Sequence, residues 1–439
     1  MQIDGISFND IAIFHPEEDY SIFHKLNFTR TFGGREWLRH FFSNPFNDIE
    51  KIRGTQRILS KLILHVDEWP EDITNGTILV MDRFLDYALD RVSNSPNALD
   101  AAIYRVLHHA DYAMVRFSIN HFADFFRSMR KISMLLNEVA LPASFSIYIE
   151  RIDHLLKIEA FNQLSESEKD QSFPMSRSLY YAGQLREVHK HAVQELMDIY
   201  SRLDAWYSMA MAVKHYNLAF PEFIDRATPV IEAKGLYHIL LQNPVPYDLD
   251  ITQKNNFLFL TGANMAGKST LIKSVGAAVF LAHIGMGVPA RSMRLTLLDG
   301  LISNINVVDN IVKGESFFFN EVQRIKNTVE KVGNGQKWLV LIDELFKGTN
   351  VQDAMRCSLA VIRGLLKVKS SLFILSTHLY EIGEELESTA SIAFKHFETT
   401  INDDTLSFSY QLKDGISKDR LGYFILKKEK VVEMLDRLQ

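Results

Sequence analysis

A glycine-rich segment at residues 261–270 has the residue types and spacing of a phosphate-binding loop. It reads TGANMAGKST and matches the pattern G-x-x-x-x-G-K-S/T, with Gly262 and Gly267 at the two glycine positions. These glycines let the backbone turn so that its N–H groups point towards phosphate oxygens. The Lys268 amine would reach the β- and γ-phosphates of a nucleotide, and the Ser269 hydroxyl would ligate Mg²⁺. The segment therefore predicts a nucleoside triphosphate site.

The sequence on both sides of this loop supports the prediction. Apolar residues 257–260 are predicted to form a strand that enters the loop, and an apolar helix is predicted to begin at Leu271. The N-terminus of such a helix adds its free amides and its dipole to a phosphate site. The residues predicted to bind the nucleotide are Gly262, Ala263, Asn264, Met265, Ala266, Gly267, Lys268, Ser269 and Thr270.

Two carboxylates follow a second apolar run. Residues 338–342 are predicted to form a buried strand that ends in Asp343 and Glu344, at the edge of the sheet where ligands bind in open α/β folds. Asp343 is suited to the magnesium shell, together with Ser269. Glu344 is suited to polarising the attacking water, because phosphoryl transfer depends on a positioned nucleophile. Taken alone, the pair could equally be solvated side chains at a strand end.

A histidine follows a third apolar run. Residues 372–376 are predicted to form a strand, and Thr377 and His378 come directly after it. His378 could contact the γ-phosphate or the water, whereas an isolated histidine at a strand end is more often structural. Beside the phosphate loop, the catalytic interpretation is favoured, and the predicted catalytic residues include Lys268, Glu344 and His378.

These motifs together resemble the ATPase of the MutS mismatch-repair family. The loop at 261–270 is similar to the family's version, with Ala263 in place of the usual proline. Residues 341–350 are similar to its D-E-x-x-x-G-T-S stretch, residues 376–378 to its A-T-H switch, and residues 284–290 to its I-G-x-x-V-P-A segment. The resemblance implies an ABC-type, MutS-like P-loop ATPase that uses ATP and Mg²⁺.

One more segment of the sequence resembles the family, and it implies a role for a second subunit. Residues 314–321 are similar to the family's G-x-S-T-F-x-x-E signature. The resemblance implies that Ser316 caps a helix whose N-terminus meets the γ-phosphate bound by the partner subunit, so that Ser316 acts in catalysis. Each ATP would then lie between the two protomers of a homodimer. Residues 28–38 and 44–46 resemble, more weakly, the start of the family's helical lever domain.

The order of the predicted elements divides the chain in two. Residues 110–136 and 179–215 have apolar residues at three- and four-residue spacing, which indicates helices. After Tyr216, short β-type runs alternate with helices, as in a mostly parallel α/β sheet. The predicted fold class is therefore an α/β P-loop NTPase domain at 216–439, preceded by an all-α lever or core domain at 1–215.

Composition indicates an ordinary soluble globular protein. The 439 residues are 47% hydrophobic and 23% charged, and the single cysteine, Cys357, excludes an internal disulfide and suits a reducing cytoplasm. The first twenty residues lack the pattern of a secretory signal, and the most apolar window, 274–290, contains His283 and falls short of a membrane span. We therefore expect a cytoplasmic protein with no membrane segment.

Charge is distributed unevenly. Residues 1–200 hold 21 basic and 28 acidic side chains, a net of −7, and residues 201–439 hold 27 and 26, a net of +1. An acidic half is unfavourable for gripping a phosphate backbone. A group of basic side chains near the C-terminus could contact DNA or could form a solvated helix face. Its members are Lys413, Lys418, Arg420, Lys427, Lys428 and Lys430.

The chain also departs from the family's pattern. No match to the mismatch-reading domain, with its F-x-E wedge, precedes the lever-like part, and residues 100–215 leave no room for the β-rich DNA clamp. The usual C-terminal helix-turn-helix dimerisation tail is not recognisable, and Tyr247 stands about where the family has an asparagine on the adenine side. We therefore do not expect the chain to recognise mismatches by itself.

Two functions remain open at this stage. The first is a dimeric, ATP-driven DNA-binding clamp or switch related to mismatch repair, with ATP, a second copy and DNA as partners. The second is an ATP-switched protein-interaction scaffold that does not bind DNA. A nucleotide binder without catalysis is disfavoured by Glu344.

Overall fold

The computed structural model describes residues 1–89, 96–137, 140–306, 317–402, 405–417, 426–428 and 430–438. Packing divides the chain into two compact units. The first, which we call the α/β unit, comprises Met1–Lys25, Asn44–Arg53 and Tyr216–Gln439. The second, the helical unit, comprises Leu26–Ser43 and Gly54–His215.

The strands all belong to the α/β unit, as far as the described residues go. In chain order they are β1 (Gln2–Ile3), β2 (Glu222–Phe223), β3 (Ile231–Leu236), β4 (Tyr247–Ile251), β5 (Phe257–Thr261), β6 (Ser292–Leu295), β7 (Gly300–Asn304), β8 (Trp338–Asp343), β9 (Leu372–Ser376), β10 (Ile392–Asn402) and β11 (Thr405–Asp414).

The helices occur in both units. In chain order they are α1 (Gly5–Asp10), α2 (Ile22–Lys25), α3 (Phe32–Ser43), α4 (Ile49–Leu62), α5 (Asn75–Asp86), α6 (Ala98–Leu107), α7 (His109–Asn137), α8 (Ala143–Leu155), α9 (Glu159–Ser165), α10 (Met175–Gly183), α11 (Lys190–His215), α12 (Lys268–His283), α13 (Phe317–Val332), α14 (Val351–Leu365), α15 (Tyr380–Leu386) and α16 (Val431–Asp436). Across the described ranges, none of them is long and apolar enough to cross a bilayer.

A seven-stranded sheet forms the centre of the α/β unit. Its order is β1-β7-β8-β9-β5-β10-β11, and every neighbouring pair is parallel except the last, β10 with β11. A smaller sheet has the order β2-β6-β3-β4. The α/β class predicted from the sequence is thus confirmed.

The interior strands β5, β8 and β9 are buried along their whole length. Their runs are continuously apolar because helices cover a parallel sheet on both faces. Each large side chain buried in this way stabilises the fold by about 1.5–3 kcal/mol. Since the three strands are parallel, their last residues, Thr261, Asp343 and Ser376, come together at one edge of the sheet.

The N-terminal residues join the α/β unit, although the sequence prediction placed them in a helical domain at 1–215. Strand β1 pairs with β7, and the Asp10 carboxylate on α1 accepts hydrogen bonds from the backbone N–H groups of Ile305 and Asn306, each at 3.1 Å. The N–H of Phe46 also donates to the carbonyl oxygen of His283 at 2.8 Å. These partners are more than 200 positions away, so helical periodicity could not predict them.

The helical unit consists, over its described residues, of helices and their connections. Helix α7 packs against α5 and α9, and α11 packs against α3. The buried Asp204 carboxylate on α11 accepts hydrogen bonds from the N–H groups of Arg30 at 3.0 Å and Thr31 at 2.9 Å, at the start of α3. This contact fixes the beginning of α3 to the middle of α11. Whether the unit serves as a lever rests on the sequence resemblance.

Candidate active site

The predicted phosphate loop connects β5 to α12. Gly262 has φ 131° and Gly267 has φ 110°, a backbone conformation that side chains with a Cβ atom rarely adopt. Phe397 on β10 lies against this turn, and a Cβ atom on Gly262 would stand 3.2 Å from the Phe397 carbonyl oxygen. Both glycines are therefore required by the geometry of the loop as well as by its motif.

Lys268 is the first residue of α12 and its side chain turns back over the loop. Its ammonium group donates to the carbonyl oxygens of Gly262 at 2.6 Å and Ala263 at 2.9 Å, and the residue is only 5% exposed. Burial lowers the pKa of the Lys268 amine. The two carbonyl contacts hold the charge where phosphate oxygens could replace them.

Asp343 at the end of β8 contacts hydroxyl groups from two other elements. Its carboxylate accepts a hydrogen bond from Ser269 Oγ at 2.5 Å and another from Ser376 Oγ on β9. Hydroxyl and carboxylate oxygens are the hard ligands that Mg²⁺ prefers. Because the Ser269 and Asp343 oxygens already touch beside the loop, these two residues fit a magnesium site.

Glu344 follows Asp343 in a strained conformation. Its φ is 63°, and its N–H donates to the Ser376 carbonyl oxygen at 2.9 Å. The Glu344 carboxylate accepts a hydrogen bond from His378 Nδ1 at 3.1 Å and pairs with the Lys347 ammonium at 3.4 Å. The hydrogen bond from His378 is the largest contribution that lowers the pKa of Glu344, to about 2, and the same bond raises the pKa of His378. The carboxylate is therefore ionised at neutral pH.

A cavity of about 610 Å³ contains these groups. One part of it is lined by the loop, Lys268 and the two carboxylates, and another part by apolar and aromatic side chains that include Val245, Tyr247 and Tyr410. Tyr247 is buried and its ring lies edge-on to Phe397, with the ring centroids 5.7 Å apart. The cavity thus has a charged part and an aromatic part.

A bulge in β11 places Tyr410 in this cavity. Phe397 pairs with Leu412 and Thr399 pairs with Phe408, so several residues of β11 lie opposite one residue of β10. Tyr410 lies within this bulge and has φ 53°. Bulges of this kind often redirect a side chain beside a site. Sequence reasoning missed Tyr410, and no local motif marks it.

The predicted catalytic and metal-binding residues either line the cavity, contact a residue that lines it, or lie outside the described residues. The structure brings Lys268, Ser269, Asp343 and Glu344 to one cavity, and His378 contacts Glu344 directly. Ser316 lies outside the described residues. Sequence reasoning also missed Lys347, which lines the cavity and pairs with Glu344, and Ser376, which bonds to Asp343. Both lie inside the segments 341–350 and 376–378 that carry the resemblance, but at positions where the family pattern has no fixed polar residue.

The basic group near the C-terminus has mixed surroundings. Lys413 forms an ion pair with Glu398 at 2.5 Å, whereas Lys427, Lys428 and Lys430 are exposed. Lys418 and Arg420 lie outside the described residues. Among the described residues, the group therefore has one member in an ion pair and three that are exposed to solvent.

Comparison with known proteins shows that this sequence is similar to proteins of one family. Residues 258–435 match the sequence model of MutS domain V. The chain is 27% identical over 238 residues to the DNA mismatch repair protein MutS of Petrotoga mobilis, covering 54% of this chain and 29% of that protein. It is 24% identical over 427 residues to the MutS of Staphylococcus haemolyticus, covering 92% and 46%, and 28% identical over 325 residues to the mouse MutS protein homolog 4, covering 70% and 33%.

The parallel sheet and the loop between β5 and α12 define an α/β protein of the P-loop NTPase type. Within that class, residues 258–435 are similar to MutS domain V, and the chain resembles the MutS proteins with which it aligns. The chain spans between 29% and 46% of the length of the three relatives.

Proposed function

We propose that this protein binds and hydrolyses ATP with Mg²⁺ in the 610 Å³ cavity. The observation that carries the proposal is the meeting of the Ser269 hydroxyl with the Asp343 carboxylate at 2.5 Å, beside the buried amine of Lys268. These are the types of side chain that a magnesium-bound triphosphate needs, and they come from two separate elements of the fold. Tyr247 and Tyr410 offer aromatic surface to the base of the nucleotide.

The residues would act on the triphosphate as follows. Lys268 would exchange its two carbonyl partners for β- and γ-phosphate oxygens, which stabilises the negative charge that develops there. Ser269 and Asp343 would hold Mg²⁺, which when bound neutralises charge between the β- and γ-phosphates. The loop amides would orient the phosphates, so the γ-phosphorus is presented to a water near Glu344.

Glu344 would position that water. The water oxygen forms a bond to the γ-phosphorus while the bond from the γ-phosphorus to the bridging oxygen breaks, giving ADP and inorganic phosphate. A carboxylate whose pKa is lowered to about 2 is a weak base, so Glu344 would orient and polarise the water and the released proton would pass on to phosphate or solvent. His378 and Lys347 would hold the carboxylate in place.

The proposal extends to a dimer in which Ser316 of one protomer completes the site of the other. It rests on the resemblance of residues 314–321 to the family signature. Among the described residues, α13 begins at Phe317, directly after that serine, and the Phe317 ring lies against Gly348 in the segment after Glu344. Closure of such a dimer around ATP would drive a clamp or switch related to mismatch repair, with the helical unit as the lever.

The second candidate is an ATP-switched interaction scaffold that does not bind DNA. It is favoured by charge, because residues 1–200 carry a net of −7 and would repel a phosphate backbone. Affinity for duplex DNA at rising salt concentrations separates the two functions. DNA binding with a steep salt dependence supports the clamp, and no binding at low salt supports the scaffold.

The Lys268→Ala variant tests the ATPase proposal directly. We expect ATP hydrolysis that stops when EDTA removes Mg²⁺, and a loss of at least about tenfold in turnover or nucleotide affinity in the variant, equivalent to about 1.4 kcal/mol. Lys273→Ala, on the same helix α12, is the matched control and should behave like the parent protein. An unchanged rate in purified, folded Lys268→Ala would refute the assignment.

A further inference from the structure

A buried guanidinium group on α13 joins this helix to the N-terminal helix α1 and to the end of β7. The Arg324 side chain is only 10% exposed. Its terminal nitrogens donate to the two Asp4 carboxylate oxygens at 2.6 and 3.1 Å and to Ser7 Oγ at 3.2 Å. Its Nε donates to the Ser303 carbonyl oxygen at 3.0 Å and to Asn304 Oδ1 at 2.8 Å. Three elements therefore meet at one side chain.

These hydrogen bonds fix the position of α13 along the sheet. A buried ion pair adds little net stability compared with apolar packing, because both charges lose their water. Its hydrogen bonds are strict in distance and angle, however, so sliding α13 by one turn, about 5.4 Å, would break all of them. Burial alone would raise the pKa of the Asp4 carboxyl, but hydrogen bonds from Arg324 and Ser7 outweigh it and lower that pKa to about 2. The pair is therefore charged at neutral pH.

Helix α1 is itself fixed to the large sheet. Strand β1, which precedes it, pairs with β7. The buried Asp10 carboxylate on α1 accepts a hydrogen bond from Ser303 Oγ at 2.5 Å. At the end of β7, Asn304 pairs with Ile342, the residue before Asp343. Helix α1 therefore holds α13 against the strand that borders the one carrying Asp343.

The beginning of α13 contacts the segment that follows Glu344. Glu321 lies three residues before Arg324, and its carboxylate accepts hydrogen bonds from the N–H groups of Lys347 at 3.1 Å and Gly348 at 3.3 Å. The Lys347 ammonium pairs with the Glu344 carboxylate at 3.4 Å. Residues three apart are neighbours on one face of a helix, so the anchor at Arg324 also sets the position of Glu321.

We propose that Arg324 is a positioning residue for ATP hydrolysis: anchored to Asp4 on α1, it keeps Glu321 where it orients the segment after Glu344. This role rests on the proposed ATPase function and adds the N-terminal helix to it. Arg324 and Asp4 are not among the described residues that line the cavity, so both would act through other residues. Loss of the anchor should therefore slow the chemical step while ATP affinity stays nearly unchanged.

Amide hydrogen exchange tests the link without requiring ATPase activity. In Arg324→Gln, peptides that span 345–350 should exchange at least about fivefold faster than in the parent, because the acceptor for the Lys347 and Gly348 N–H groups is no longer held. Lys326→Gln, which removes only an exposed pair on the same helix, is the matched control and should leave exchange unchanged. Thermal melts by circular dichroism check that both variants fold. Unchanged exchange in folded Arg324→Gln would overturn the proposal.

Hydrolysis kinetics test the consequence for catalysis. Single-turnover hydrolysis should be slower by at least about fivefold in Arg324→Gln, with ATP affinity within about twofold of the parent. Asp4→Asn keeps the size of the side chain and an acceptor for the Ser7 N–H but loses the charge. It should change exchange and hydrolysis in the same direction by a smaller factor, and it replaces Arg324→Gln if that variant does not fold.

A double variant tests the route through Glu321. Adding Glu321→Ala to Arg324→Gln should slow hydrolysis little further, because both substitutions release the same contact. Effects that multiply would overturn this route, and faster exchange with an unchanged hydrolysis rate would overturn the catalytic role. A parent protein without ATPase activity would refute the proposed function, whereas the exchange result would still decide whether Arg324 positions the segment.

Discussion

At the scale of single residues, Glu344 has a strained backbone conformation, and several contacts fix both its backbone and its carboxylate. Its φ of 63° costs on the order of 1–3 kcal/mol, which the surrounding contacts must offset. One contact fixes its backbone N–H, and His378 and Lys347 fix the two carboxylate oxygens. Such strain is kept where it positions a group for function. Glu344 is therefore the residue at which a small chemical change should have the largest effect on turnover.

The Glu344→Gln variant should bind ATP normally and hydrolyse it more slowly by a factor of about 10² to 10⁴, the range of general acid–base assistance. The amide keeps the size of the side chain but loses the charge that polarises water. Single-turnover hydrolysis and the affinity for a fluorescent ATP analogue measure the two effects separately. Glu387→Gln, an exposed change at the end of α15, is the control. Hydrolysis within threefold of the parent rate would contradict the assigned role.

At the scale of elements, α13 is linked to the segment that follows Glu344. The buried Glu321 carboxylate on α13 accepts hydrogen bonds from the N–H groups of Lys347 at 3.1 Å and Gly348 at 3.3 Å. Burial raises the pKa of Glu321. A Cβ atom on Gly348 would stand 2.8 Å from the Phe317 ring, so the helix and the segment are in close contact. A displacement at the start of α13 would reach Lys347, and through it Glu344.

Removing the Glu321 carboxylate should disturb both stability and turnover. Glu321→Ala leaves two N–H groups without an acceptor, so we expect the free energy of unfolding to fall by about 1–3 kcal/mol. ATP hydrolysis should fall as well, because Lys347 no longer has a fixed position. Urea unfolding and steady-state ATPase assays measure these effects. Glu330→Ala, which breaks only an exposed pair on the same helix, should change neither, and equal losses in the two variants would refute the link.

At the scale of the whole molecule, the composite-site proposal predicts complementation between two inactive proteins. A Ser316→Arg protein keeps an intact loop, and a Lys268→Ala protein keeps an intact signature. One interface of the mixed dimer then combines the two intact halves. We expect the mixture to regain ATPase activity, up to one active site per heterodimer. If an equimolar mixture is no more active than its separate components, the site does not span two subunits.

Mismatch recognition is a second property of the whole molecule. Mismatch readers insert a side chain at the lesion and hold the DNA bent. Residues 1–200 of this chain carry a net charge of −7, which opposes such a hold on the phosphate backbone. We therefore expect weak, salt-dependent DNA binding, with less than tenfold preference, about 1.4 kcal/mol, for a G·T duplex over a matched duplex. Binding at moderate salt measures the ratio. A larger preference would show that the helical unit contains a reader.

The sequence by itself determined the local parts of the site. The motif at 261–270 requires a strand, a glycine turn and a helix in that order, and the short apolar runs before Asp343 and before Thr377 predict interior strands, which the structure confirms. Parallel pairing of those strands then brings their carboxyl ends together, so the predicted loop and the predicted carboxylates lie in one cavity.

The tertiary structure alone decided the long-range contacts. Tyr410 reaches the cavity through a bulge between β10 and β11, and Glu321 meets Lys347 across 26 positions of sequence. Strand β1 joins the sheet beside a strand almost 300 positions away. Periodicity and motif spacing report conformation within one element, and these contacts depend on which elements pack together. For the same reason, only the structure could show which residues of α6 and α7 are buried.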